Sequence, residues 1–282
     1  MYNIYEIKIQ HMRPENQQFE QHGLKIDKDR VLTYSQLSCP LGCRYCFVDD
    51  MNFNQKRNVA YLTEEQFQLI DRLPKEIKLI MLGCDTEFLQ NKTEALAILE
   101  RLSQQRLDLS VITKLPLSKP FIQKLSETAQ TIEHNGNILA FSISVLCAES
   151  ARLWEPKVPS PEKRIETLKR AYEAGIKTLV AFRPLLPTIS DEEMEAVILA
   201  AKDYCYGFYS GLLYLKDPAH ELLPDTRNFD IKQLQPAWMP QGNIFYRIEK
   251  PGQMQTLRKI LQKYNKPLFE GAAEGIKHLK TL

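Results

Sequence analysis

The alternation of six apolar, strand-like segments with amphipathic helical segments is the feature that most limits how this 282-residue chain folds. The strand-like segments are short, rich in β-branched and aromatic residues, and bounded by turn residues. They are Val31–Ser38, Ile77–Leu82, Leu109–Thr113, Ile138–Val145, Ile176–Phe182 and Phe208–Leu215. Strands that alternate with helices form parallel sheets covered by those helices. The pattern predicts an α/β protein, and both an open twisted sheet and a partly closed barrel satisfy it.

Helix-start signals lie between these segments. Thr63–Gln66 and Ser190–Glu193 have the spacing of capping boxes, and Ser160 precedes a proline at the first position of a helix. Gly175 is placed to end the helix that begins after Ser160. These signals predict helices that cover the sheet.

The chain divides into three parts by its sequence pattern. We expect a short N-terminal segment at residues 1–30, a β/α core at residues 31–216 and a C-terminal extension at residues 217–282. Prolines interrupt the extension, which also contains a predicted strand at Ile244–Ile248 and a helix at about residues 253–264.

Composition and charge exclude some classes of protein. The formal net charge is +2, which gives no strong positive field of the kind that marks a nucleic-acid-binding domain. No apolar run reaches the roughly 18 residues of a membrane span, and the first residues carry charges where a signal peptide has an apolar core. We therefore expect a cytoplasmic protein, and in that reducing compartment clustered cysteines bind metals or do chemistry.

Polar and reactive residues recur where successive predicted strands end. They are Cys39, Cys84 with Asp85, Lys114, Ser142 with Ser144, and Arg183. The carboxyl ends of parallel strands meet at one edge of a sheet or barrel, where ligands bind. The sequence therefore predicts one shared site at this edge.

Three cysteines are concentrated in one loop after the first predicted strand, at Cys39-x3-Cys43-x2-Cys46. Structural zinc takes four protein ligands and usually recruits them as two pairs. A zinc site that adds a distant fourth ligand, in a non-catalytic interaction module, is one interpretation. An iron–sulfur cluster is the preferred one, because three thiolates on a [4Fe–4S] cluster leave one iron open.

The cysteine spacing, with Tyr45 before the third cysteine, resembles that of the radical S-adenosylmethionine (SAM) superfamily. The resemblance implies a partial (β/α)6 barrel and a [4Fe–4S] cluster held by Cys39, Cys43 and Cys46. It also implies that SAM binds the open iron and is cleaved reductively to a 5′-deoxyadenosyl radical. A flavodoxin or ferredoxin would supply the electron, and the substrate would be a small molecule, a peptide or a nucleic acid.

Segments further along the chain resemble the spore photoproduct lyase branch of that superfamily: LGCDTEFLQ, VITK, FSIS and RLWEPKVPSPEKRIETLKRAYEAG. The resemblance implies that Cys84 donates a hydrogen atom, and the alternative is a small buried thiol. It also implies a set of residues around SAM. They are Tyr45 near the adenine, Ser142 and Ser144 on the ribose or carboxylate, Arg152 and Arg164 on the carboxylate, and Asp85 and Lys114 at the same edge.

Two positions depart from the lyase pattern. Phe47 follows the third cysteine where the lyases commonly have a tyrosine, and Asp85-Thr86-Glu87 replaces their usual Thr-Ser-Asp. The sequence therefore predicts a radical SAM enzyme with an unidentified substrate. Repair of a DNA lesion, as in the lyases, is the alternative.

Overall fold

The computed structural model describes residues 14–50, 60–223, 225–236 and 244–282. Within these ranges ten strands form one sheet. They are β1 (Leu24–Asp27), β2 (Arg30–Thr33), β3 (Leu79–Leu82), β4 (Asp108–Thr113), β5 (Leu139–Ser144), β6 (Lys177–Leu185), β7 (Phe208–Leu215), β8 (Asp230–Leu234), β9 (Phe245–Glu249) and β10 (Leu268–Phe269).

Six strands, β2 to β7, run parallel and lie side by side in chain order. These are the six strands that the apolar pattern predicts, so the α/β partial-barrel prediction is confirmed. Antiparallel strands extend both edges: β1 pairs with β2, while β9 pairs with β7 and carries β8. The short β10 pairs in parallel with the first residues of β7.

Helices cover the outer face of the sheet. The α-helices of the described residues are α1 (Pro14–Gln21), α2 (Glu64–Ile70), α3 (Lys92–Leu102), α4 (Lys119–His134), α5 (Ala151–Trp154), α6 (Pro161–Glu173), α7 (Asp191–Ala201), α8 (Gln253–Lys263) and α9 (Ala272–Leu279). Val111 and Phe141 of the sheet pack in one core cluster with Leu125 of α4 and Leu168 of α6, all fully buried. No described helix has the length and apolar character needed to cross a membrane.

Helix α9 lies on the opposite, inner face of the parallel strands. Its buried Ile276 belongs to a second core cluster with Leu79, Leu179 and Tyr209. Ion pairs from Lys277 and Lys280 join its last turn to residues 29 and 108, at the amino ends of β2 and β4. Helix α9 therefore closes the bottom of the barrel, and its first residue points toward the edge where the carboxyl ends of the strands meet.

The first predicted strand ends earlier than expected. We predicted a strand to Ser38, whereas β2 ends at Thr33. The reason is local: Gln36 adopts a left-handed φ of 58°, and the backbone N–H groups of Ser35 and Gln36 donate to the carboxylate of Asp85. Residues 34–47 are therefore free to form the cysteine-bearing loop.

The C-terminal elements agree with their predictions, with β9 one residue later than the predicted strand and α8 in place of the predicted helix. The division into residues 1–30, 31–216 and 217–282 stays a prediction. Residues 1–13 of the expected N-terminal segment lie outside the described residues.

The helix-start signals are confirmed in part. Thr63 forms the full capping box with Gln66, and Gly175 takes a left-handed φ of 80° after α6. Ser190 accepts from the N–H of Glu193 at 3.1 Å, but the Glu193 carboxylate binds residues 148 and 150 instead of reaching back. Ser160 makes no capping hydrogen bond to the backbone of α6.

We therefore expect the hydroxyls of Thr63 and Ser160 to contribute differently to the free energy of unfolding. We expect Thr63→Ala to lower the free energy of unfolding by about 1 kcal/mol, because it leaves the backbone N–H of Gln66 without its acceptor. The matched variant Ser160→Ala should lower it by only a few tenths of a kcal/mol, because no capping bond is lost. Urea unfolding monitored by circular dichroism measures both, and equal losses would contradict the prediction.

Candidate active site

The three clustered cysteines lie on the loop that follows β2, and each thiol is half-buried. The backbone N–H of Cys46 donates to the carbonyl of Cys43 at 3.0 Å. Burial raises the pKa of Cys43, and it raises the pKa of Cys46 to about 11. The neighbouring thiols raise both pKa values further, and the charge of Lys114 lowers both. The loop therefore brings the three thiols together beside one cation.

This donor set fits an iron–sulfur cluster. Among the described residues no group of three or more His, Cys, Asp or Glu side chains is close enough to hold a single metal ion. A [4Fe–4S] cluster instead distributes its thiolate ligands over separate iron atoms. The thiols are near enough to act on one another electrostatically, and Lys114 offsets the negative charge that such a centre brings.

Tyr45 lies beneath the cysteines, and its side chain is buried at 6% exposure. Its hydroxyl donates to the carboxylate of Glu155, and its ring contacts that of Trp154 at 6.4 Å between centroids. The Lys114 ammonium lies 5.7 Å from the ring centroid. Burial, and next the charge of Glu155, raise the pKa of Tyr45 well above its usual value. Tyr45 is thus a fixed neutral phenol, and its predicted contact with adenine stays a prediction.

Glu155 and Arg164 form a fully buried ion pair with 2.6 Å between carboxylate oxygen and guanidinium nitrogen. Arg164 also donates to the backbone carbonyl of Ser144, at 2.7 Å. Arg164 was predicted as a cation for the SAM carboxylate, and in this structure it binds a carboxylate of its own chain. The pair joins the cysteine loop, through Tyr45, to the end of β5 and to α6.

Lys114 follows β4 and is surrounded by negative groups. Burial favours its neutral amine, but the charges of Cys43, Glu155 and Glu87 outweigh this and raise the pKa of Lys114. Lys114 therefore stays charged beside the cysteines and the buried carboxylates. Its predicted place in the cofactor site stays a prediction.

Asp85 and Glu87 position loops with their carboxylates. Asp85 accepts from the N–H and hydroxyl of Ser35 and from the N–H of Gln36, at 3.0, 3.1 and 2.6 Å. Glu87 accepts from the hydroxyl of Thr113 at 2.7 Å and from the N–H of Lys114 at 3.0 Å. Burial raises the pKa of both carboxyls. Asp85, predicted as a cofactor-binding residue, has both oxygens engaged in holding the cysteine loop.

Cys84 follows β3 and is partly exposed. It packs against the cluster of Leu32 and Tyr34 at the end of β2, and Phe47 of the cysteine loop packs against the same cluster. Burial by these neighbours, and next the charge of Asp85, raise the pKa of Cys84 to about 12. Cys84 is therefore a neutral thiol beside the cysteine loop.

Ser142 and Ser144 lie two residues apart on β5 and so project from the same face. Both are fully buried, and the Ser144 hydroxyl has no hydrogen-bond partner among the described residues. Ser142 lies beside the hydroxyl of Tyr209 on the inner face. Arg152 is separate from this group: it is exposed on α5, and its charge lowers the pKa of Glu162.

Sequence reasoning left Glu155 unassigned and did not single out Glu87. A signal existed for each: Glu155 begins the Glu-Pro step after α5, and Glu87 follows a strand end among otherwise reactive residues. Cys147 and Cys205, the two other cysteines outside the loop, are buried core thiols.

The buried ion pair gives a direct test of how the cysteine loop is held. We expect Glu155→Gln to lower the free energy of unfolding by about 3–5 kcal/mol, because it leaves the charge of Arg164 buried without a partner. Chemical denaturation measures the loss.

The double variant Glu155→Leu with Arg164→Met is the control. It removes both charges at once and should recover most of the loss. A double variant as unstable as Glu155→Gln alone would show that the loss does not come from the unpaired charge.

Known proteins with similar sequences and structures were compared with this chain. The family model of the radical SAM superfamily matches residues 34–201, which is more than half of the chain. An uncharacterized protein of Methanocaldococcus jannaschii is 25% identical over 221 residues, which cover 74% of this chain and 78% of that protein.

Solved structures of spore photoproduct lyase variants share the fold. One, with bound AdoMet and dinucleoside spore photoproduct, has a TM-score of 0.61 at 13% identity. Another has a TM-score of 0.60 at 14% identity. Each match covers 82% of this chain and 73% of the lyase. At this identity the likeness concerns the fold alone.

The family match includes the cysteine loop and four of the six parallel strands, from β3 to the helix that follows β6. Members of this family use SAM together with a [4Fe–4S] cluster. This chain belongs to the radical SAM superfamily and is an enzyme with the partial-barrel fold of spore photoproduct lyase.

Proposed function

We propose that this enzyme holds its [4Fe–4S] cluster through Cys39, Cys43 and Cys46 and uses the thiol of Cys84 as a hydrogen-atom donor during radical SAM chemistry. The observation that carries the proposal is the position of Cys84. It is a partly exposed neutral thiol at the carboxyl end of β3, and it packs against the same cluster of Leu32 and Tyr34 as Phe47 of the loop that bears the three cysteines.

When bound, the cluster and SAM supply a 5′-deoxyadenosyl radical through one-electron cleavage of the sulfonium, with a flavodoxin or ferredoxin as the electron source. The chain's part is to bind and orient them. Lys114 offers a cation that its neighbours keep charged, and Ser144 offers a buried hydroxyl with no hydrogen-bond partner in the described part of the chain. Tyr45 lies between the cysteines in the loop, and its hydrogen bond to Glu155 fixes its side chain.

The high pKa of Cys84 suits hydrogen-atom donation. A thiolate has no hydrogen to give, and a pKa of about 12 keeps Cys84 protonated at neutral pH. In the proposed step the S–H bond breaks homolytically and the hydrogen atom forms a C–H bond at a carbon radical of the substrate. The sulfur is left as a thiyl radical, and one electron from the same reductant together with one proton restores the thiol.

Two other interpretations of the sequence remain separable from this one. A zinc-binding module would contain one zinc and be colourless, whereas membership of the radical SAM family favours the cluster. Repair of a DNA lesion rests on a shared fold. Phe47 lacks the hydroxyl commonly found at that position in the lyases, and its ring packs edge-on against Phe245 at 6.1 Å between centroids.

Cluster assembly is the first measurement. Anaerobic reconstitution should give about four irons per chain and a broad absorbance near 400 nm. Addition of SAM and dithionite should then release 5′-deoxyadenosine. Cys43→Ala should lose both the absorbance and the deoxyadenosine. Wild-type protein with an intact cluster that releases no deoxyadenosine above background would refute the proposed function.

The role of Cys84 is testable without a known substrate. In thiol-free D₂O the S–H group exchanges to S–D, so SAM cleavage without substrate should give 5′-deoxyadenosine with one deuterium, measured by mass spectrometry. We expect Cys84→Ala to reduce this deuterium content severalfold while deoxyadenosine still forms.

Cys205→Ala is the matched control. Burial raises the pKa of Cys205 to about 12 as well, but that thiol lies in the outer core. Its removal should leave the deuterium content unchanged. Equal deuterium content in wild type and Cys84→Ala would exclude Cys84 as the donor.

A further inference from the structure

Arg183 is an exposed arginine on the inner face of the barrel, near the carboxyl end of β6. Side chains two residues apart on a strand share a face. Leu179 and Ala181 lie on the same face of β6 as Arg183, and they pack in the inner cluster around α9. Arg183 continues the same face one step closer to the mouth of the barrel.

Gly211 of the neighbouring strand β7 provides the surface on which the arginine lies. A Cβ atom at Gly211 would meet the Nε, Cδ and Cζ atoms of Arg183 at 2.8, 3.1 and 3.2 Å. The guanidinium of Arg183 therefore lies over β7 at Gly211, where that strand has no side chain. A Cβ at Gly271, which precedes α9, would be 4.0 Å from Nη1 of Arg183. The guanidinium is thus directed across the barrel, above the start of α9.

The charge of Arg183 reaches the proposed reaction site. It lowers the pKa of Cys84, which burial and Asp85 raise, and it opposes the burial that raises the pKa of Tyr209 to about 12.

We propose that Arg183 binds an oxyanion of the substrate, a carboxylate or a phosphate, and holds the substrate in the barrel mouth beside Cys84. A planar guanidinium binds such groups through two parallel N–H···O hydrogen bonds. The substrate class is therefore a molecule with an oxyanion near the carbon that reacts. This assignment rests on the proposed function, because it takes Cys84 as the reacting thiol.

The test compares two reagents that alkylate the same thiol. Iodoacetate and iodoacetamide both transfer a two-carbon group to the sulfur of Cys84 with loss of iodide, but only iodoacetate carries an oxyanion. Peptide mapping by mass spectrometry gives the alkylation rate at Cys84 in the cluster-loaded enzyme. The ratio of the iodoacetate rate to the iodoacetamide rate measures the attraction of an anion to this position, without SAM cleavage.

We expect this ratio to fall about fivefold in Arg183→Gln, as for the loss of one nearby positive charge in a partly screened site. Gly211→Ala should also lower it, because the new Cβ displaces the guanidinium while the net charge is kept. Arg258→Gln is the control, since Arg258 is exposed on α8 and its removal changes the net charge equally. It should leave the ratio unchanged.

Added anions then identify the group that binds. Inorganic phosphate or malonate at millimolar concentration should abolish the preference for iodoacetate in the wild type and have no effect in Arg183→Gln. The more effective of the two anions distinguishes a phosphate from a carboxylate on the substrate.

Two results would overturn the assignment. One is an equal ratio in wild type and Arg183→Gln. The other is loss of the preference when SAM alone is added, which would assign the guanidinium to the carboxylate of SAM. Neither result depends on deoxyadenosine release, so failure of this inference is distinct from failure of the proposed function.

Discussion

The ion pair between Glu155 and Arg164 is the interaction on which the architecture of the site depends. Both side chains are fully buried, and removing two charges from water costs several kcal/mol for each ion unless hydrogen bonds compensate. Here Tyr45 donates to Glu155, and Arg164 donates to the carbonyl of Ser144. The cost is offset by bonds that connect three separate segments: the cysteine loop, the end of β5 and α6. The position of the three thiols relative to the barrel follows from this connection.

Buried carboxylates also join separate segments at the neighbouring strand ends. Asp85 joins the loop after β3 to the cysteine loop, and Glu87 joins it to the end of β4. Beyond the strand ends no ladder of backbone hydrogen bonds continues, so the loops need other partners. Buried carboxylates supply them, because one carboxylate accepts several N–H and O–H groups at once. Burial raises the pKa values of Asp85 and Glu87, because removing a carboxylate charge from water costs free energy.

The strands were predictable from the sequence, but the hydrogen bonds that connect the loops at the strand ends were not. The six parallel strands were predictable because apolar runs and turn residues are local signals, and the capping box at Thr63 was local as well. Asp85 was not predictable in its actual role, because its partners at Ser35 and Gln36 lie about fifty residues earlier in the chain. Helix α9 presents the same difficulty. The sequence pattern was not used to predict this helix, and only the fold decides that its buried face lies inside the barrel.

Charge at the barrel mouth is likewise determined by the fold and not by composition. The chain as a whole carries a formal charge of only +2. At the mouth, however, Asp85, Glu87 and Glu155 are each committed to hydrogen bonds or an ion pair within the protein. The ammonium of Lys114 lies over the ring of Tyr45 in the cysteine loop, and the guanidinium of Arg183 lies across Gly211.

Two cations at different positions suit two different anions. Lys114 lies with Cys43 and Tyr45, so its charge acts on the cysteines that we propose as cluster ligands. Arg183 lies with Tyr209 and the start of α9, so its charge acts on the floor of the barrel. The Arg183 charge acts on Cys84 against the effects of burial and of Asp85. In the proposed function the thiol of Cys84 would exchange a hydrogen atom with a substrate bound across the mouth, with Lys114 on the cofactor and Arg183 on the substrate, so that each cation would serve one anion.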